Sequence, residues 1–103
     1  MSSVHAARDL TDTELKKVAG QFRLLGEPMR LKILQALCQR PLAVGEIVAA
    51  TGATQSNISK HLALLASAGI ITRQKDRQFV YYEMSNVLTM KLCELVHKEL
   101  LKH

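Results

Sequence analysis

Apolar positions along the chain recur at two spacings, and the switch between them marks out the elements. In LTDTELKKVAGQFRLLG, Leu15, Val18, Phe22 and Leu25 fall at steps of three and four, the pattern of one helix face. Thr11 or Thr13 is placed to cap this helix, and Gly26 stops it. EPMRLKILQALCQRP repeats the pattern with Met29, Ile33, Leu34 and Leu37. Pro28 stands in its first turn, where a missing N–H costs nothing, and Pro41 closes the segment. LAVGEIVAATGA predicts a short third helix carrying Val44, Ile47 and Val48, with Gly52 suited to a positive φ just past its end. Thr54 can then cap a fourth helix, in which Ile58, Leu62 and Leu65 point inward until Gly69 ends it. IITRQKDRQFVYYEM breaks the helical period. Its β-branched and aromatic residues, Ile70, Ile71, Phe79, Val80, Tyr81 and Tyr82, predict two strands about a turn near Lys75, Asp76 and Arg77. From Ser85 a last helix runs to the end of the chain.

These elements predict a mainly α fold with a small β-hairpin, in the order α-α-α-α-β-β-α, within one domain spanning residues 1–103. Two helices joined by about three residues including a glycine form a helix-turn-helix, and the hairpin behind them makes it winged. The apolar positions of the last helix, Leu88, Met90, Leu92, Leu95, Val96 and Leu100, are wider than one face of so small a core needs. Helices 11–25 and 85–102 are therefore expected to form a dimer interface, each copy burying the other's spare apolar stripe.

Charge sharpens this picture. The chain carries 14 Lys and Arg against 9 Asp and Glu, a formal charge of +5. Between residues 51 and 82 there are four cations, Lys60, Arg73, Lys75 and Arg77, and one acid, Asp76. The fourth helix opens on short polar side chains, TQSNISKH, which suit base edges in the major groove, while the cations suit phosphates. Double-stranded DNA is the expected partner. The plainer reading is a solvated helix face, and the alternative function is a winged-helix module that binds another protein without sequence-specific DNA binding. Aromatic residues make up only 4% of the chain, against a single-strand binder built on base stacking. Phosphate-loop, nucleophile-elbow and HExxH motifs are missing, so no enzyme is expected. No signal peptide and no apolar run near the length of a membrane span are present, which predicts a cytoplasmic protein without membrane contact. Its two cysteines would be reduced there.

From about residue 15 to 100, FRLLGEPMRLKILQAL, LAVGEIVAATGATQSNISKHLALLASAGIITRQKDRQFVYYEM and the closing helix together resemble the ArsR/SmtB family of bacterial winged-helix repressors. The resemblance implies a homodimer that binds an inverted-repeat operator and blocks transcription. Its two recognition helices would lie about one DNA turn, ~34 Å, apart, on a pseudo-palindromic site. It also implies that Gln55, Ser56, Asn57, Ser59, Lys60 and His61, preceded by the cap Thr54, lie on the recognition helix. Arg73, Lys75, Arg77 and Gln78 would lie on the wing. His61 reads as a packing or phosphate-facing residue rather than a metal ligand.

Many members of that family release DNA when a metal or metalloid binds, and this sequence departs from their sites. Ala43 and Gly45 stand where one site places thiolates, and Asn86, Leu88, Glu99 and Lys102 occupy the region of another. Cys93 and His97 remain, one helical turn apart, as a candidate pair for a thiophilic metal or metalloid ion. Tetrahedral zinc wants four ligands, so a second copy of the pair, Cys38 or His103 would have to complete the set. Two alternatives stand beside it: a redox pair of Cys38 and Cys93, and no small effector at all.

Overall fold

The computed structural model describes residues 9–102. It contains helices α1 (Asp12–Leu25), α2 (Pro28–Leu37), α3 (Val44–Thr51) and α4 (Gln55–Ser67), strands β1 (Ile71–Asp76) and β2 (Phe79–Met84), and helix α5 (Leu88–Leu101). The order is the one the hydrophobic pattern predicts, a winged helix-turn-helix. His103, one of the residues considered above as a further metal ligand, lies outside the described residues.

Local chemistry sets most boundaries. Thr11 rather than Thr13 caps α1: its hydroxyl accepts the Glu14 N–H at 3.1 Å, and the Glu14 carboxylate accepts the Thr11 N–H at 2.9 Å. This reciprocal pair satisfies two donors that a helix start leaves open. The hydrogen bond from the Thr11 backbone, then that with its hydroxyl, holds the Glu14 carboxyl below its ordinary range. Pro28 occupies the first turn of α2, whose cap is Glu27. Two helices begin later than their patterns suggest, and in both cases the hairpin is the cause. Leu42 exchanges two backbone hydrogen bonds with Tyr82, 3.0 and 2.8 Å long, so α3 starts only at Val44. The Ser85 N–H donates to the Ile70 carbonyl at 3.0 Å, so the chain stays with the sheet past β2. The Asn86 side chain then accepts the Leu88 N–H at 2.9 Å, and α5 begins at Leu88 rather than Ser85.

The core lies between α2, α3, α4 and the base of the hairpin. Ile33, Leu34, Leu37, Leu42, Ile47, Ile58, Leu62, Leu65, Ile70 and Ile71 are its buried members. Each fully buried Leu or Ile contributes about 1.5–3 kcal/mol of transfer free energy. By contrast α1 has no buried residue, and α5 buries only Thr89. Leu15, Val18 and Phe22 of α1 and Leu88, Leu95, Val96 and Leu100 of α5 stand exposed. No helix is long and apolar enough to cross a membrane among the described residues.

Candidate nucleic-acid interface

The turn between α3 and α4 is built by three residues in succession. Thr51 is buried; its hydroxyl donates to the Ile47 carbonyl at 2.8 Å and accepts the Ala53 N–H at 3.4 Å. Gly52 takes φ +77°, a left-handed conformation that a side chain would strain. Thr54 then caps α4, its hydroxyl accepting the Asn57 N–H at 3.2 Å. Gly52 and Thr54 were legible in the sequence. Thr51 was not, although a buried threonine one residue before a helix-ending glycine is a usable signal for such a brace.

With the turn fixed, Ile58, Leu62 and Leu65 anchor α4 in the core. Thr54, Gln55, Ser56, Asn57, Ser59 and Lys60 are left on the surface of its first turns. That end of a 13-residue helix carries partial positive charge and unpaired N–H groups, both favourable to a phosphate. His61 departs from the set in which the family resemblance placed it. It follows Ile58 by three positions and precedes Leu65 by four, so it falls on the inward stripe. Its side chain is only 14% exposed. The Arg30 Nε donates to its Nδ1 at 3.2 Å, and its Nε2 lies 3.8 Å from the Glu27 carboxylate.

The hairpin supplies the second half of the surface. Antiparallel pairing sets Arg73 opposite Tyr82, Lys75 opposite Val80 and Asp76 opposite Phe79. The turn is therefore Arg77–Gln78, slightly beyond the position expected from Lys75, Asp76 and Arg77. Because side chains alternate along a strand, Arg73 and Lys75 share one face and the one acid of β1, Asp76, lies on the other. Arg77 has φ +59°, an unfavourable region for a residue with a side chain. Arg73, Lys75, Arg77 and Gln78 are all exposed. Among the described residues no carboxylate pairs with Lys60, Arg73, Lys75 or Arg77. Their charge is free to meet a polyanion.

The candidate metal-ligating pair lies on α5. Cys93 and His97 of α5 line an apolar cleft of about 310 Å³, walled by Phe22 and Leu25 of α1 and by Leu31 of α2. No group of three His, Cys, Asp or Glu side chains that could hold a metal ion is present among the described residues. At the start of α3, Ala43 offers only its N–H, which Glu46 accepts at 2.9 Å, and Gly45 offers no donor. Among the described residues of one subunit, these do not by themselves make up a metal site. Cys38 and Cys93 are both free thiols, Cys38 exposed just past α2 and Cys93 half-buried. Cys38 lines neither of the clefts that Cys93 lines.

Known proteins share this architecture and sequence. The model of the bacterial regulatory protein family arsR matches residues 27–73. The arsenical resistance operon repressor of Bacillus subtilis is 33% identical over 98 residues, covering 88% of this chain and 93% of that protein. The nodulation protein NolR of Rhizobium meliloti is 32% identical over 74 residues, 72% of this chain; the match spans only 61% of NolR. Among solved structures, the homodimeric winged helix-turn-helix DNA-binding domain Mb0332 from Mycobacterium bovis superposes with a TM-score of 0.78 at 29% identity. That match covers 92% of this chain and 88% of the other. With its helix-turn-helix, its wing and a relative matched almost end to end, the chain belongs to the arsR family of bacterial regulatory proteins.

Proposed function

We propose that the chain is a homodimeric transcriptional repressor that binds an inverted-repeat, pseudo-palindromic operator in duplex DNA. The observation that carries this reading is the pairing of a polar, exposed start of α4 with four cations that no described carboxylate neutralises. Gln55, Ser56, Asn57 and Ser59 read base edges; Lys60, Arg73, Lys75 and Arg77 meet phosphates, with Thr54 and Gln78 at the margins. The B. subtilis relative is an operon repressor and the M. bovis neighbour a homodimer, both consistent with the proposal. The exposed apolar faces of α1 and α5 form the interface between copies. Cys93 and His97 supply two donors from one subunit, so a second copy of the pair or a further residue would have to complete a metal set.

Binding to a duplex of the gene's own upstream region, titrated against a random duplex at equal salt, tests the reading. Specific binding is expected to exceed random binding by at least about 10³-fold. Equal affinities for the two duplexes reject it, and a stable protein partner captured instead would favour the interaction-module alternative.

A further inference from the structure

A hydrogen-bonded chain crosses the body behind the reading face and joins three helices. The Arg30 guanidinium, on α2, donates from Nε to His61 Nδ1 at 3.2 Å and from a terminal nitrogen to the Leu24 carbonyl at 3.0 Å. Leu24 lies in the last turn of α1, whose carbonyls have no partner within the helix. Glu27 accepts the Arg30 backbone N–H at 3.1 Å and sets its other contact, at 3.8 Å, toward His61 Nε2. The charged groups facing the imidazole are thus Arg30 and Glu27, from α2 and its cap, while α1 enters through the Leu24 carbonyl.

We infer that His61 is a positioning residue: as the acceptor for Arg30, it locks the recognition helix α4 to the end of α1. Only an imidazole without a proton on Nδ1 can accept from a guanidinium, which has donors and no lone pair to offer. The bonded tautomer therefore carries its proton on Nε2, toward Glu27. Protonating Nδ1 removes the acceptor and sets two cations against each other at hydrogen-bond distance. The tie between α4 and α1 is then lost, even though Glu27 gains an ion pair. Because α1 is one of the two helices proposed to face the second copy, the same link relates the orientation of the reading helix to the dimer. The inference rests on the DNA-binding reading for its consequence, though not for its geometry.

Two measurements test it. In NMR of the imidazole nitrogens, wild-type His61 is expected as the Nε2–H tautomer, and Arg30→Lys, which lacks the Nε–H, is expected to lose that preference. A proton resident on Nδ1 in the wild type overturns the inference. The second measurement is affinity for a labelled duplex of the gene's upstream region, at about pH 8 and about pH 5.5. His61→Ala and Arg30→Lys are expected to weaken binding roughly tenfold at the higher pH, the size of one hydrogen bond to a charged donor. His61→Asn places an amide oxygen close to Nδ1 and cannot titrate. It should bind within about twofold of wild type at the higher pH and hold its affinity better than wild type in acid. Wild-type affinity in His61→Ala, or identical pH profiles for wild type and His61→Asn, overturns the positioning role. If His61→Ala fails to fold, the asparagine variant and the tautomer decide. If wild type itself shows no preference for the promoter duplex, the DNA reading has failed, and the tautomer and its loss in Arg30→Lys still decide the lock.

Discussion

α4 and α5 are nearly equal in length, 13 and 14 residues, and both carry large apolar residues at helical spacing. Their fates differ. α4 buries Ile58, Leu62 and Leu65 completely and leaves a polar face outside. α5 leaves Leu95 at 63% and Leu100 at 67% exposure, with only Thr89 buried. An exposed polar face next to free cations suits a polyanion, whereas an exposed apolar face suits another apolar face. One helix is anchored by its own subunit so that it can present chemistry. The other, in the proposed homodimer, is left for a second subunit to cover.

The most severe way to break this comparison is to remove an α4 anchor. Leu62→Ala should cost about 2–5 kcal/mol by opening a cavity in the core. Chemical denaturation will show this as a lower midpoint, and an unchanged midpoint would mean α4 is not the anchored helix. A paired substitution in α5, Leu95→Glu with Leu100→Glu, should leave the subunit fold intact and abolish dimers in sedimentation experiments. A dimer that survives both changes moves the interface elsewhere.

A smaller effect falls on the wing tip. Arg77→Gly relieves a side chain held at positive φ and should stabilise the fold by about 1 kcal/mol. The same change removes the proposed phosphate contact, which should weaken all DNA sequences alike and lower the salt slope by about one. Gain of stability with unaltered salt dependence would mean that the strained arginine has no role in binding. The mildest change concerns Glu46, whose carboxyl is held below its ordinary range by the Arg40 side chain at 2.8 Å and by the Ala43 N–H. A carboxyl with a lowered folded-state pKa stabilises the fold above its unfolded pKa and loses that contribution as pH falls through the folded one. Glu46→Gln should therefore show a slightly shallower loss of stability in acid than wild type, and steeper loss would contradict the assigned contacts.

Much of the proposed DNA-facing surface has a local framework, and that framework was legible. Thr54 caps the residue three positions on, Gly52 needs no partner to adopt φ +77°, and Pro28 is compatible with a first turn wherever it occurs. The hairpin turn was placed slightly early because strand register depends on which residues pair, and Asp76 pairs with Phe79. The starts of α3 and α5 were placed early for a related reason. Leu42 and Ser85 have their backbone groups claimed by Tyr82 and Ile70, far along the chain or across the hairpin base.

His61 shows the boundary most clearly. The inward stripe of α4 already contained its position, yet its partners Glu27 and Arg30 lie more than thirty residues earlier, and no spacing rule connects them. By itself, the sequence determined the number and kind of elements, the caps and turns between them, and the scarcity of acids between residues 51 and 82. Those properties follow from φ preferences, side-chain reach of one helical turn and hydrophobic period, all of which act over a few residues. The tertiary structure alone decided which apolar stripes found cover, which backbone groups the hairpin captured, and that Arg30 meets the inward-facing His61. Such outcomes depend on which distant segments meet, because burial and hydrogen bonding reward whatever partner the fold delivers.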